Sequence, residues 1–343
     1  MLKTTRRDWM SRERVSFAVE VASAVHRHLP KRVAKSPRVA ALASDLLLLV
    51  CRVRVAILWD YWNVDVGAAS DFEPSGSSVR PSQILALIND LSNALGVLLA
   101  GPSLFIIHRE MLHSNLVREL ACGDGPLHPD DVLLVAVDRD DSASVPRVLT
   151  PSERAVLIGR LRALGAEIVR QCHQHHIAEA LGEQCDGGDG GKTQQHRLLT
   201  LTDDCAGPLL VAVHGWLLEY PVVYCFVNAS AETEACGRPS CLSGEPLRVH
   251  RLMARDAAQK DAPSHLVCSF TVPARLLDGL EAEQEEKDAT DEESEMQQTP
   301  AALRGGVISR WEDRMRCRIA TANEWWRDPQ VTVESAAHDS ISL

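Results

Sequence analysis

Short apolar runs alternate with longer stretches of helical spacing along most of this chain, and this alternation restricts its fold more than any other feature. The runs are rich in β-branched residues, which favours buried strands. Four of them are VRVAILWDY (53–61), SLFIIH (103–108), VLLVAV (132–137) and PVVYCFV (221–227). Strands that alternate with helices of about ten or more residues are typical of βαβ units and a mainly parallel sheet.

The segments between these runs repeat apolar residues three or four positions apart, as amphipathic helices do. Helices are predicted at residues 12–28, 37–51, 81–98, 111–120, 152–164 and 207–220, with a short strand at 166–171. Two further strands, 247–254 and 265–272, follow each other without an intervening helix, which indicates an antiparallel pair. We therefore expect an α/β fold with a mixed, mostly parallel sheet flanked by helices and an antiparallel C-terminal portion.

Shifts in composition divide the chain into parts with different expected behaviour. The predicted parts are a basic N-terminal arm with helices (1–51), an α/β domain (52–280) with a flexible insertion near 183–200, a disordered acidic linker (281–304), a C-terminal helix packing on the domain (305–330) and a tail (331–343). Disorder is expected in the linker because its stretch EAEQEEKDATDEESEMQQTP (281–300) has too few apolar residues to offset the entropy of ordering.

Charge and cysteine content narrow the range of partners and compartments. With 47 acidic and 36 basic residues the formal net charge is −11, which argues against a general affinity for nucleic acid. The apolar runs are far shorter than the roughly 20 residues of a transmembrane segment. Ten scattered cysteines favour reduced thiols in the cytoplasm or nucleus, with a mitochondrial presequence in the basic N-terminus as the alternative. We expect a protein partner, whose identity stays open.

The stretch CDGGDGGKTQQH (185–196) looks like a phosphate-binding loop but departs from its pattern. Gly191, Lys192 and Thr193 match the end of the Gly-x-x-x-x-Gly-Lys-Ser/Thr motif, whereas Asp186 occupies the first glycine position. No apolar strand precedes it, as that motif requires. We therefore interpret it as a flexible surface insertion rich in Gly and Asp.

Metal-binding side chains surround the same insertion without the paired spacing that zinc sites prefer. They are Cys172, His173, His175, His176, Cys185, His196 and Cys205. The four residues between the cysteines of CGRPSC (236–241) also fit a zinc site poorly. Solvated histidines are the expected interpretation. A Cys225–His250 nucleophile pair is a further hypothesis, and a core cysteine beside a strand histidine is the simpler one.

Carboxylates at predicted strand ends support the alternative hypothesis that the protein is an enzyme. Asp60 ends the first strand, and Asp138, Asp140 and Asp141 follow the third. In open α/β sheets ligands bind beyond the carboxyl ends of strands, so these acids, with Asn63, could hold Mg²⁺ for phosphoester or nucleic-acid hydrolysis. Asp is also common in turns after strands, because its side chain binds nearby backbone N–H groups.

Blocks in the C-terminal half support a family resemblance. They are HGWLLEYPVVYCF (214–226), CLSGEPLRVHRL (241–252), SFTVPARLL (269–277) and SRWEDRMRCRIATANEW (309–325), and VAILWDY (55–61) fits the same pattern. In this order they resemble the uncharacterised eukaryotic family of the human chromosome 1 open reading frame 74 product. The resemblance implies no established activity, cofactor or catalytic residue.

Polar tips on otherwise apolar elements mark a candidate cleft. Asp60, Tyr61, Tyr220, Tyr224 and Arg248 are its predicted lining, with structural hydrogen bonding by the same residues as the competing interpretation. We expect an interaction or regulatory protein without a readable catalytic motif. The alternative is a metal-dependent phosphoesterase or nuclease, and only that alternative implies a cofactor, Mg²⁺. Whether the chain is an enzyme stays open at this point.

Overall fold

The computed structural model describes residues 6–62, 78–122, 131–138, 145–180, 198–202, 209–227, 241–257, 264–277 and 300–337. The helices in these ranges are α1 (Arg6–His28), α2 (Lys31–Ala34), α3 (Arg38–Val50), α4 (Pro81–Leu91), α5 (Arg109–Cys122), α6 (Pro151–Ala180), α7 (Leu210–Leu217) and α8 (Pro300–Thr321). The strands are β1 (Ala56–Leu58), β2 (Leu95–Ala100), β3 (Ser103–His108), β4 (Leu133–Ala136), β5 (Arg147–Val148), β6 (Leu198–Leu201), β7 (Val222–Cys225), β8 (Pro246–Asp256), β9 (His265–Pro273) and β10 (Trp326–Ala337).

The strands form three sheets, with the orders β1-β3-β2-β6, β5-β4-β7 and β10-β8-β9. Parallel pairing joins β2 to β6 and β4 to β7, whereas the other pairs between described strands are antiparallel. The expected α/β class, the mixed pairing and the antiparallel β8–β9 pair are confirmed. The expectation of a mostly parallel sheet is not.

The main reason for this difference is the hairpin formed by β2 and β3. The sequence predicts one helix over 81–98, but α4 ends at Leu91 and β2 begins at Leu95. Ala100 then pairs with Ser103 across a two-residue turn in which Gly101 takes a φ of 54°. Glycine enters this left-handed region without the penalty that a Cβ brings. An antiparallel pair thus stands where the helix-strand alternation predicts a crossover.

Three other elements differ from the sequence-based expectations. The predicted strand at 166–171 is a continuous part of α6, and β6 forms at the end of the predicted insertion near 183–200. The last helix, predicted within 305–330, ends at Thr321, and β10 follows it and pairs with β8. The remaining residues of the predicted insertion and nearly all of the acidic linker lie outside the described residues.

Alternating strand residues connect the sheets to separate apolar cores. On β3, Phe105 and Ile107 face a core shared with α5, α6 and α7, whereas Leu104 and Ile106 face a core shared with α1, α3 and α4. A third core joins the β5-β4-β7 and β10-β8-β9 sheets to α8 around Trp311. The N-terminal helices are therefore part of the packed body. Among the described residues, none of the helices combines the length and apolar character that crossing a membrane requires.

Candidate functional site

A cavity of about 280 Å³ lies at the carboxyl ends of β4 and β7, beside the first turns of α6. These two strands are parallel, so both end at the same edge of their sheet. This edge is where ligands bind in open α/β sheets. Apolar side chains form most of its wall, namely Leu149, Val156, Leu157, Leu209, Phe226 and Val227.

Local sequence fixes the polar rim of this cavity. Glu153 lies in the first turn of α6, where its carboxylate accepts hydrogen bonds from the Thr150 N–H and hydroxyl groups at 2.9 Å each. Arg147 of β5 donates to both Glu153 oxygens, at 2.8 and 2.7 Å. Arg147 and then Thr150 lower the pKa of Glu153 to about 2. Glu153 therefore borders one side of the cavity as a carboxylate whose charge is already paired with Arg147.

Two apolar side chains and one cation at the cavity remain directed to solvent. Val156 is 59% exposed and Val227 is 37% exposed. Arg160, one turn after Val156 on α6, is exposed and forms none of the ion pairs found between described residues. The cavity is thus an open apolar depression with a positive charge available beside it.

The other polar groups near the cavity are committed to structural hydrogen bonds. The Cys225 thiol donates to the Val135 carbonyl at 3.4 Å, and Cys225 is buried. Asp138 accepts the Val227 N–H at 2.8 and 3.0 Å, which joins the ends of β4 and β7. Among the residues that line the cavity there is no histidine. The Ser152 hydroxyl, which also lines the cavity, lies 3.2 Å from the Thr150 hydroxyl.

The five residues of the predicted cleft each have a different structural environment. Tyr61 is buried, its hydroxyl donates to the Asp45 carboxylate, and burial together with Asp45 raises the pKa of Tyr61. The Tyr224 hydroxyl donates to the Thr271 carbonyl at 2.8 Å, and burial raises its pKa to about 12.

The other three cleft residues lie at the surface or between elements. Arg248 donates to the Ser335 hydroxyl at 3.4 Å across the β8–β10 pair. Asp60 is exposed, and burial, with a smaller effect of the Asp60 charge, raises the pKa of Tyr220. Tyr224 and Arg248 bind separate partners. A functional cleft over these residues stays a prediction.

Only two of the predicted carboxylate ligands, Asp60 and Asp138, lie within the described residues. Asp60 is exposed after β1, and Asp138 accepts the Val227 N–H at the carboxyl ends of β4 and β7. A metal site that uses both of them stays a prediction. Asp140, Asp141 and Asn63 lie outside the described residues, and a site that uses them stays a prediction.

The remaining sequence candidates are only partly within the described chain. The Gly-Asp stretch at 185–196 lies outside it. Cys225 and His250 are not paired, because Cys225 binds Val135 and the His250 ring stacks on Phe270 with a centroid distance of 4.9 Å. In the described residues no group of three or more His, Cys, Asp or Glu side chains is arranged to hold a metal ion.

The sequence does not predict a buried ionic centre that forms around Glu219. Glu219 follows α7 and is bound by Arg318 of α8 and Asn115 of α5. Burial alone would raise the pKa of Glu219, but the charge and hydrogen bonds of Arg318 lower it. The available signal was a single acid inside the apolar stretch that ends in Leu217 and Leu218. Its partners are about a hundred residues away in sequence, so no local pattern pointed to them.

The chain belongs to a family that is defined by sequence and has no assigned activity. A family model described as a domain of unknown function (DUF4504) matches residues 24–343. The match begins inside α1 and includes the three sheets formed by the described strands, together with the cavity at the ends of β4 and β7. No curated protein matches the chain, and no solved structure matches it either.

Proposed function

We propose that this family member is a non-catalytic binding protein whose cavity at the ends of β4 and β7 receives an apolar side chain from a protein partner. The observation that carries the proposal is the open apolar depression with the Arg160 guanidinium beside it. Exposed apolar patches with a polar rim are typical of interaction sites. The proposal is in line with the interaction or regulatory role expected from the sequence.

The size and openness of the cavity favour a peptide segment over an isolated small molecule. Pockets for small ligands usually begin at about 300 Å³ and bury most of the ligand. Here the volume is about 280 Å³, and Val156 and Val227 face solvent. One large apolar side chain fits such a depression while the rest of its chain stays outside. Because Arg160 is positively charged, we expect the partner to carry an acidic residue close to that apolar anchor.

The engagement of the polar groups supports binding rather than catalysis. Glu153 is neutralised by Arg147, and the Cys225 thiol is buried against Val135. A general base must have a lone pair within reach of the reacting proton, and a nucleophile needs such a base beside it. The metal-dependent hydrolase, using Asp60 with Asp138, Asp140 or Asp141, remains the competing hypothesis.

We also propose the finer family assignment and the cellular location. The blocks HGWLLEYPVVYCF (214–226) and SRWEDRMRCRIATANEW (309–325) support membership of the eukaryotic family of the human chromosome 1 open reading frame 74 product. The first block contributes Glu219 and the second contributes Arg318, and these two side chains pair in the structure. The reduced, scattered cysteines support a cytoplasmic or nuclear protein.

The test is selection of random twelve-residue peptides displayed on phage against the purified full chain. Synthetic versions of the enriched peptides are then titrated by fluorescence polarisation against the wild type and two variants. Val156→Asp places a negative charge in the apolar wall, and Arg160→Glu reverses the charge beside the cavity. We expect enriched peptides to pair an apolar residue with Asp or Glu, and each variant to weaken binding at least about tenfold.

Val19→Asp provides the matched control, because Val19 is 61% exposed on α1, which contributes no residue to the cavity wall. The same apolar-to-acid change there should leave the peptide affinity unchanged. Peptides that bind the wild type, Val156→Asp and Arg160→Glu equally would refute the cavity as the binding site. Hydrolysis of bis(p-nitrophenyl) phosphate with Mg²⁺ or Mn²⁺, abolished by Asp140→Asn, would instead establish the competing hydrolase.

A further inference from the structure

Two histidines from neighbouring helices meet at the surface, in a place unrelated to the cavity. His113 of α5 and His173 of α6 have their Nε2 atoms 3.0 Å apart, with ring centroids at 5.1 Å. His113 is half-buried and His173 is exposed. The nitrogens that approach each other are in both residues the ones that commonly bind metals, and the pair remains accessible from solvent.

The separation of these nitrogens matches the edge of a metal coordination shell. Two nitrogens bound to one Zn²⁺ at about 2.05 Å with a tetrahedral angle lie about 3.3 Å apart. The observed 3.0 Å requires only a small side-chain adjustment on entry of the ion. An imidazole–imidazole hydrogen bond would also give this distance, so the two explanations must be separated by experiment.

We propose that His113 and His173 are two ligands of a binding site for a late first-row transition-metal dication such as Zn²⁺. Neutral imidazole is a preferred ligand of such ions. Among the described residues no third metal-binding side chain completes the set. Water molecules complete the coordination of the ion.

The neighbouring residue Cys172 is not a member of this site. It is 3% exposed and belongs to the core between α6 and the four-stranded sheet. The site is therefore built from nitrogen and oxygen ligands. An ion bound there links α5 to α6, two helices that already pack on each other.

The test uses the full chain after removal of metals with a chelator. Zn²⁺ affinity is measured by competition with a chromophoric chelator for the wild type, His113→Gln and His173→Gln. We expect one equivalent of Zn²⁺, and a weakening of at least about tenfold in each variant. His26→Gln is the control, because His26 is an exposed histidine on α1 and should not contribute.

Two further measurements keep the result interpretable. Circular dichroism of the metal-free variants shows whether each is folded, and Zn²⁺ should raise the melting temperature of the wild type more than that of His113→Gln or His173→Gln. The Co²⁺ complex should show ligand-field bands without thiolate charge transfer. Equal Zn²⁺ affinity in wild type, His113→Gln and His173→Gln would overturn the site, as would thiolate bands or a wild type that binds no Zn²⁺.

Discussion

Arg318 of α8 donates two hydrogen bonds to the buried carboxylate of Glu219, one of them from Nη2 to Oε1 at 2.9 Å. The Asn115 amide of α5 donates to the same Oε1 at 3.0 Å. Glu219 adopts a φ of 55°, in the left-handed region, where the chain turns from α7 towards β7. One side chain thus joins three helices at a turn whose backbone a non-glycine residue adopts rarely.

Loss of the Glu219 charge should destabilise the protein strongly. Glu219→Gln keeps the shape but leaves the Arg318 guanidinium, with 17% of its side chain exposed, without its counter-ion. Removal of one partner of a buried pair costs about 3–5 kcal/mol. Urea unfolding should therefore show a loss of about 3 kcal/mol. Glu334→Gln, which breaks an exposed pair with Arg251, should cost less than about 1 kcal/mol. Equal losses in both variants would contradict the buried-pair account.

The same carboxylate should contribute to acid sensitivity. Its pKa is lowered in the folded state, because Arg318 outweighs the opposing effect of burial. A group with a lowered folded pKa stabilises the protein fully above its unfolded value of 4.5, and this contribution is lost as the pH falls through the folded pKa. Urea unfolding between pH 5.5 and 3 should give a flatter stability profile for Glu219→Gln than for wild type. A profile parallel to that of wild type would show that Glu219 does not titrate in this way.

The elements that the sequence predicts correctly are those whose apolar pattern is local. The run VLLVAV produces β4, and HLVCSFTV produces β9, because both are buried strands flanked by polar residues. The strand β2 is missed because its apolar residues continue the helical spacing of α4 without a visible break. The strand β10 is missed because most of it is polar and exposed, and its pairing with β8 supplies what its own sequence does not indicate.

The candidate sites were harder to predict because their residues come from distant parts of the chain. The strand-end rule points to Asp138, which does lie at the edge beside the cavity. The cavity itself depends on Val156 and Val227, whose exposure no sequence pattern reveals. His113 and His173 are 60 residues apart, and Glu219 and Arg318 are 99 apart. Such pairs exist only after helices and sheets have packed.

Replacement of two helical glycines by alanine should change the stability of the protein in opposite directions. A Cβ on Gly215 of α7 would lie 3.1 Å from Val223 Cγ2 and 3.4 Å from the Val223 backbone, so helix and strand must move apart. Gly215→Ala should therefore cost about 1–3 kcal/mol. Gly159 of α6 has no atom within 4 Å of that position. Gly159→Ala should stabilise the protein by about 0.5–1 kcal/mol through helix propensity. Thermal or urea unfolding of both variants would test this, and changes of the same sign would contradict it.

A half-buried histidine should make stability fall in mildly acidic solution. His214 of α7 lies with Nε2 2.8 Å from the Ser103 hydroxyl and its ring edge-on to Phe105, and burial lowers its pKa from 6.5 to about 4. Between these two pKa values His214 therefore binds a proton in the unfolded chain but stays neutral in the folded protein. Stability is full above about pH 6.5 and declines as the pH falls towards 4, by about 3 kcal/mol in total.

His214→Gln should remove this part of the decline, whatever its effect on stability at pH 7.5. Burial also lowers the pKa values of His108 and His250, so the variant should keep a smaller slope instead of none. His26→Gln, at an exposed position on α1, should follow the wild type throughout. The measurement is the free energy of unfolding in urea at half-unit steps from pH 7.5 to 4. A His214→Gln slope equal to that of wild type would mean that His214 is not kept neutral by its burial.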